Sequence, residues 1–210
     1  TKSTVVDFDG TPILFTPWIC DDNYDHSMEM LRTAKADLCF GHLEIKGIEM
    51  QNGVINEHGL SKSDFQRFDR VVSGHFHKHT DDGQIFYCGA QYEMTWSDYQ
   101  DPKAFHIFDT ETREITRISN PLTIHKKIIY DDKKKDYTNF DIQPYNNHFI
   151  KLIVLNKTNN EVFDKFVERL YNEITVHDLN IIEDYSDIKA SVREDILEMG
   201  EDTVTFLNNY

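Results

Sequence analysis

Two apolar runs in this sequence each end in a glycine followed by a histidine, and this repeated pattern constrains the fold more than any other feature. The first run leads into Gly41 and His42, and the second leads into Gly74, His75 and His77. Short apolar runs of this kind are typical of buried strands, and a glycine permits a sharp exit into a loop. The interval of about thirty residues leaves room for an excursion that returns both histidine loops to one rim of a sheet.

The residue types in these loops point to metal chemistry. Neutral imidazole is a good ligand for Mn, Fe or Zn, and ligands offset by two residues on a bent loop can point to neighbouring ions. His75 and His77 have that offset. A motif as short as Gly-His-x-His also occurs by chance, so surface histidines are the alternative at this point. Between the two loops, Ser61 or Ser63 is a candidate N-cap for a short helix that reaches Arg67.

The order of these motifs resembles the C-terminal half of the catalytic domain of calcineurin-like metallophosphoesterases. More narrowly, it resembles SbcD-type double-strand-break-repair nucleases, which include the recombination endonuclease subunit of tailed phages. The narrower resemblance rests on residues 87–92 and 101–110, which look like the strands that follow the histidine loop in those nucleases. It extends over most of the chain and is strongest over residues 36–120. It implies an α/β fold: the C-terminal half of a β-sandwich flanked by helices, followed by a small α+β capping domain.

The resemblance also implies roles for three histidines. His42 matches the family's lone histidine ligand, His75 matches the next ligand to the same ion, and His77 matches a ligand to a second ion. The implied cofactor is a pair of divalent metal ions, Mn first among them. The family's remaining ligands are an Asp-x-His, a bridging Asp after a Gly, and an Asn-His pair, and this sequence contains no Asp-x-His, no Gly-Asn-His and no initiating Met. We therefore expect the chain to be the C-terminal part of a longer polypeptide and to be inactive alone.

The implied partners are DNA and an SbcC-type coiled-coil ATPase subunit. The resemblance assigns residues 1–121 to the nuclease domain, 122–190 to the capping domain and 191–210 to the start of the segment that binds the ATPase. It also places a homodimer contact in the missing N-terminal part. For the complete protein, the implied reaction is phosphodiester hydrolysis in double-strand-break repair and recombination.

Composition fits a globular protein but is unusual for a nucleic-acid enzyme. The 210 residues are 39% hydrophobic and 12% aromatic, and no apolar run is long enough for a membrane span. We expect a cytoplasmic protein without a membrane partner. The formal net charge of −15 repels a polyanion, so DNA binding would need metals, another segment or a basic partner. The three cysteines lie in apolar contexts, which predicts buried, reduced thiols.

Hydrophobic periodicity predicts the secondary structure around these motifs. Helices are expected over residues 25–35 and 161–174 and within residues 191–199, and the helix at 161–174 has an apolar stripe that packs on a small β-α-β sheet. Strands are expected over residues 12–17, 36–40, 68–72, 84–88, 104–109, 114–118, 149–155 and 179–182. We expect the three strands that follow Gly83 to be antiparallel. Trp18 is predicted to lie in the core, His79 is a candidate for the rim of the site, and Glu44 or Asp81 is a candidate to support a ligand imidazole.

Three functions remain open from the sequence. The first is a metal-dependent DNA nuclease subunit. The second is a generic metallophosphatase of the same fold, which would share the histidines without needing the capping domain. The third is a non-catalytic fragment that binds DNA or a partner, because the N-terminal ligands are absent. Metal-dependent turnover of DNA and of a small aryl phosphate distinguishes the three.

Overall fold

The computed structural model describes residues 2–51 and 53–183, and it shows a mixed α/β protein with four small sheets and two α-helices in that part of the chain. The chain divides into two compact units. The first unit is Thr1–Tyr92 together with Asp101–Pro121, and the second is Glu93–Gln100 together with Leu122–Tyr210. The predicted partner-binding segment at residues 191–210 lies outside the described residues.

The first unit carries the histidine loops. Its elements in chain order are β1 (Thr4–Phe8), β2 (Thr11–Thr16), α1 (Tyr24–Thr33), β3 (Leu38–Gly41), β4 (Glu49–Gln51), β5 (Val54–Ile55), β6 (Arg70–Ser73), β7 (Thr80–Asp81), β8 (Ile85–Tyr87), β9 (Ala104–Phe108) and β10 (Ile115–Ser119). A short 3-10 helix at Lys62–Phe65 is capped by Ser61, whose hydroxyl accepts from the Ser63 N–H. The predicted helix start at Ser61 is therefore confirmed, whereas the helix ends at Phe65 and does not reach Arg67 as predicted.

The main sheet has the order β1-β2-β3-β6-β8-β7. Strands β2, β3, β6 and β8 run parallel to one another, and β1 and β7 are antiparallel strands at the edges. Because parallel strands end at the same edge of a sheet, the loops after Gly41 and Ser73 emerge side by side. The predicted antiparallel strand at residues 84–88 is confirmed on one side, where β8 forms a hairpin with β7, but on its other side β8 runs parallel to β6, which was not predicted. The other two predicted strands, β9 and β10, pair with each other and are antiparallel, as predicted.

The core of the first unit lies between the sheet and α1. Leu31 of the helix is fully buried, and it packs in one cluster with Leu14, Val71, Ile85 and other apolar side chains of the central strands. The helix ends where Ala34 leaves helical geometry. Cys39 is buried in this cluster, where burial raises its pKa to about 12, so this thiol stays protonated. Cys20 is exposed and Cys88 is only half-buried, so the prediction of three buried thiols holds fully for Cys39 alone among the three and is wrong for Cys20.

The second unit contains a parallel three-stranded sheet with a crossover helix. Its elements are β11 (His125–Asp131), β12 (His148–Asn156), α2 (Asn160–Glu173) and β13 (Val176–Ile182), with the strand order β11-β12-β13. The Asn159 side chain caps α2 by accepting the Val162 N–H. The helix buries Phe163, Phe166 and Leu170 against the sheet, as the apolar stripe predicted. Strand β11 was not anticipated from the sequence, because its lysines interrupt the apolar alternation.

A short excursion from the first unit completes the second. Residues 93–100 leave after Tyr92, and Glu93 within them is only 2% exposed. Its carboxylate accepts the backbone N–H groups of Ile124 and His125, at 2.7 and 2.8 Å, at the start of β11. Buried carboxylates are tolerated when hydrogen bonds replace the lost water. This excursion also was not anticipated from the sequence.

Among the described residues, neither helix is long and apolar enough to cross a membrane.

Candidate functional site

The structure brings His42 and His75 together at the carboxyl edge of the main sheet. The Nε2 atom of His42 lies 3.0 Å from the Nδ1 atom of His75. Metal–nitrogen bonds to histidine are about 2.0–2.1 Å long, so two imidazoles on adjacent positions of one ion have nitrogens about 3.0–3.4 Å apart. The observed separation fits two ligands of a single ion. It equally fits a hydrogen bond between two neutral imidazoles.

Close backbone contact fixes the start of the His42 loop. A Cβ atom on Gly41 would lie 2.5 Å from the Thr16 carbonyl oxygen, so only glycine allows β2 and β3 to end this close together. The His42 N–H donates to the same carbonyl. Gly74 differs, because a Cβ there would meet open space. The expected conformational role of Gly74 is therefore not supported, whereas that of Gly41 is a steric requirement.

Two buried hydroxyls hold the residue that follows His42. The Ser73 hydroxyl accepts the Leu43 N–H at 2.9 Å and donates to the Leu43 carbonyl at 3.0 Å. The Tyr87 hydroxyl donates to the same carbonyl at 2.7 Å and accepts the Ile45 N–H at 3.2 Å. Burial raises the pKa of the Tyr87 phenol, so the hydroxyl keeps the proton that it donates. The ends of β6 and β8 thus fix the His42 loop, a role that the sequence did not reveal.

Trp18 lies against both histidines. Its ring centroid is 5.6 Å from that of His42 and 5.0 Å from that of His75. The buried side chain of Asn23 holds this position by donating to the Trp18 carbonyl. Trp18 is only partly buried, so the prediction that it is a core residue is wrong. Its place after the end of β2 puts it at the same edge as the histidine loops.

The surroundings of the two histidines favour their neutral forms. Removal from water lowers the pKa of His42. Removal from water is also the main cause that lowers the pKa of His75 to about 4, and the charges of His42 and His77 add to that shift. Both rings are therefore neutral near pH 7, and a neutral imidazole is the form that binds metal ions.

His77 is held through its backbone. Its carbonyl oxygen accepts the Ala90 N–H at 2.9 Å and the Lys103 ammonium at 3.1 Å. A Cβ on Gly89 would lie 2.9 Å from the same oxygen, and Gly89 has a φ of 73°, so this close approach depends on glycine. The Lys103 side chain is only 2% exposed and forms an ion pair with Asp101.

A cavity of about 270 Å³ opens beside His42. Two aromatic side chains, Trp18 and Tyr24, contribute to its walls, and Glu44 contributes its polar part. This cavity gives the edge of the sheet a recess next to the paired histidines.

Two further predicted positions have other partners. His79 makes a 2.7 Å hydrogen bond with the Tyr87 carbonyl, and its ring packs against Phe86. Asp81 forms a bidentate ion pair with Arg70, so the prediction that it supports a ligand imidazole is wrong. In the turn that follows β7, the Gly83 N–H also donates to this carboxylate.

Within residues 2–51 and 53–183, no group of three or more His, Cys, Asp or Glu side chains is arranged to hold a metal ion. The arrangement therefore supplies two converging nitrogens at one edge of the sheet, with His77 nearby. A stable metal site needs additional ligands. The assignment of His42, His75 and His77 as metal ligands stays a prediction.

In sequence, this chain is similar to a phage exonuclease subunit. It is 34% identical over 200 residues to exonuclease subunit 1 of Enterobacteria phage T4. The aligned region is 95% of this chain and 56% of that protein, so the chain spans about half the length of the relative. No protein-family model matches the sequence. The resemblance to a phage SbcD-type nuclease that the motifs indicated is confirmed by this similarity.

Proposed function

We propose that this chain, a relative of phage exonuclease subunit 1, forms part of a metal-dependent DNA nuclease that acts in a recombination and repair complex. The observation that carries the proposal is the 3.0 Å approach of His42 Nε2 to His75 Nδ1 at the carboxyl edge of the sheet. That separation fits two histidine ligands of one ion, and the resemblance assigns these two residues to one ion.

The three histidines have different roles in the proposed centre. His42 and His75 would hold one divalent ion, with Mn as the leading candidate, and His77 would serve a second. Bound divalent ions supply Lewis-acid chemistry and an activated water for phosphodiester hydrolysis. The residues of this chain keep the ligand nitrogens neutral, fix the loops from which they project and pack Trp18 beside them. The remaining ligands would come from a calcineurin-like N-terminal half.

The acidic composition fits a protein that works in a complex. With a net charge of −15, the chain lacks the general attraction for DNA that basic proteins have. We propose that bound divalent ions, a dimer partner and an SbcC-type ATPase subunit supply that attraction. The word "subunit" in the name of the phage relative supports the existence of a complex.

A second candidate function is favoured by one observation. The described residues gather no group of three metal-binding side chains, so this chain alone would act as a binding fragment without turnover. A generic metallophosphatase would share the histidines, but no feature of the described residues favours it over a nuclease.

The test is cleavage of end-labelled single- and double-stranded DNA with added Mn²⁺. The complete protein and the 210-residue chain are compared, each with a His75→Ala/His77→Ala variant, and a small aryl phosphate is the alternative substrate. We expect the complete protein to cleave DNA and the double variant to be inactive but folded. If the double variant cleaved DNA at the same Mn²⁺-dependent rate as the unmodified complete protein, the histidine centre would be excluded. Preferential hydrolysis of the aryl phosphate would favour the phosphatase.

A further inference from the structure

We propose that Lys103, together with Asp101, is a positioning pair for His77 and thereby sets the affinity of the metal position that His77 serves. The proposal rests on the metal-dependent function proposed above. The sequence motifs gave neither Lys103 nor Asp101 a role at the site. The argument comes from the burial of the ammonium group, from the atom that it binds and from its place in the chain.

Lys103 is buried to an extent that needs an explanation. Its side chain is 2% exposed, and the Nζ atom lies 2.7 Å from Oδ2 of Asp101, whose side chain is 22% exposed. Taking an ammonium group out of water is costly, and apolar residues of similar volume often replace buried ion pairs without loss of stability. If packing were the only role of Lys103, a methionine at this position would fill the same space. The pair is better explained by the group that the ammonium holds.

That group is the backbone of a predicted ligand. The His77 carbonyl accepts from Lys103 Nζ at 3.1 Å and from the Ala90 N–H at 2.9 Å. A carbonyl oxygen has two acceptor sites, and these two donors use both. A hydrogen bond from a charged donor is stronger than a neutral one. The peptide plane after His77 is consequently fixed from two sides, and a metal ligand has to be held within about 0.5 Å of its working position.

The two donors come from opposite ends of the same excursion. Ala90 lies just before the chain leaves the first unit at Glu93, and Lys103 lies just after it returns at Asp101. Asn120 strengthens this arrangement, because its side chain donates to the Gln91 carbonyl and its N–H donates to the Lys103 carbonyl. The two ends of the excursion are therefore tied together at His77. The pair holds the chain where an eight-residue detour begins and ends.

The experiment compares three variants of the complete protein. Lys103→Met removes the charge and the donor but keeps the length of the side chain, and Lys103→Gln keeps a donor. Lys62→Met is the matched control, because Lys62 forms an exposed ion pair with Asp82 in the same unit. Mn²⁺ binding is measured by the disappearance of the free-ion signal in electron paramagnetic resonance. The Mn²⁺ concentration that gives half-maximal DNA cleavage is measured in parallel.

We expect Lys103→Met to weaken Mn²⁺ binding at one of two positions by on the order of 10-fold, the lower range for residues that support metal ligands. The rate at saturating Mn²⁺ should recover most of its original value, Lys103→Gln should show a smaller loss, and Lys62→Met should bind as the unmodified protein does. A role in folding alone would lower the melting temperature and leave Mn²⁺ affinity unchanged, and that result would overturn the proposal.

Two further outcomes are distinguishable. If the unmodified protein binds no Mn²⁺, the proposed function fails, and no variant is needed to show it. If Lys103→Met does not fold, Asp101→Asn replaces it, since that change leaves the ammonium in place and removes its counter-ion. A folded Asp101→Asn protein with shifted Mn²⁺ affinity supports the proposal, and one with unchanged affinity overturns it.

Discussion

Replacement of Tyr87 by phenylalanine should destabilise the first unit, although it removes only one oxygen atom. The Tyr87 hydroxyl accepts the Ile45 N–H and donates to the Leu43 carbonyl. After the change, Ser73 still donates to the Leu43 carbonyl, so that oxygen remains paired. The buried Ile45 N–H loses its acceptor. An unpaired buried donor costs about 1–3 kcal/mol, so we expect a loss of about 2 kcal/mol in the free energy of unfolding.

Tyr130→Phe is the matched control. Tyr130 is also fully buried, but within the described residues its hydroxyl has no hydrogen-bond partner. Removal of an unpaired buried hydroxyl should leave stability unchanged or raise it, because the cost of its desolvation disappears. The two substitutions are chemically identical, so their difference isolates the hydrogen bonds of Tyr87.

The assay is urea-induced unfolding, with peptide-resolved hydrogen exchange to assign each change to its unit, since two units need not unfold in one step. Exchange should accelerate at the amides of residues 43–46 in the Tyr87→Phe protein. The reasoning would be refuted if Tyr87→Phe were neutral within about 0.5 kcal/mol, or if Tyr130→Phe cost as much. Either result would mean that the hydroxyl does not hold the His42 loop.

Three other predictions concern Gly41, Glu93 and His75. Gly41→Ala should lower the free energy of unfolding by about 1–3 kcal/mol, because the added Cβ clashes with the Thr16 carbonyl. Gly74→Ala should change it by no more than about 0.5 kcal/mol, because a Cβ there meets open space. Urea denaturation measures both changes, and equal losses would contradict this prediction. Glu93→Gln should cost about 1–3 kcal/mol, because one carboxylate oxygen accepts the Ile124 and His125 N–H groups, the other accepts the Gln100 N–H, and an amide keeps only one oxygen. Hydrogen exchange should rise at residues 93–100 or 124–125, and unchanged protection at both would exclude the role of Glu93. The pKa of His75 is lowered from 6.5 to about 4, so between these two pH values the unfolded chain binds more protons than the folded chain. The free energy of unfolding without metal should therefore fall as the pH decreases from 6.5 to about 4. A His75→Asn protein with the same pH dependence as the unmodified protein would contradict this.

The sequence predicted those parts of the fold in which local pattern and burial agree. The apolar runs before Gly41 and Gly74 form β3 and β6, and the helical stripes form α1 and α2. The pattern was reliable there because the apolar side chains that define it are the ones that pack in the cores. Strand β11 was missed, since Lys126 and Lys127 break its apolar pattern.

The candidate site was predictable only in part. The shared edge of His42 and His75 follows from two parallel strands that end in the same motif. The supporting contacts depend on residues far apart in the chain: Ser73 and Tyr87 hold the His42 loop, and Lys103 holds the His77 carbonyl. No local pattern marks such pairs. Trp18 was misjudged because large aromatic residues are usually buried, whereas this one follows the end of β2 at the edge that carries the histidines.

The excursion at residues 93–100 determines how this protein can be divided for experiments. A cut after Pro121 looks natural in the linear sequence, but a protein that begins at Leu122 would lack Glu93, which accepts the Ile124 and His125 N–H groups at the start of β11. The opposite fragment would keep residues 93–100 without strand β11, which Glu93 and Trp96 contact. Neither unit is a continuous stretch of chain. Removal of the second unit therefore requires one join, between residues 92 and 101, and one cut after residue 121.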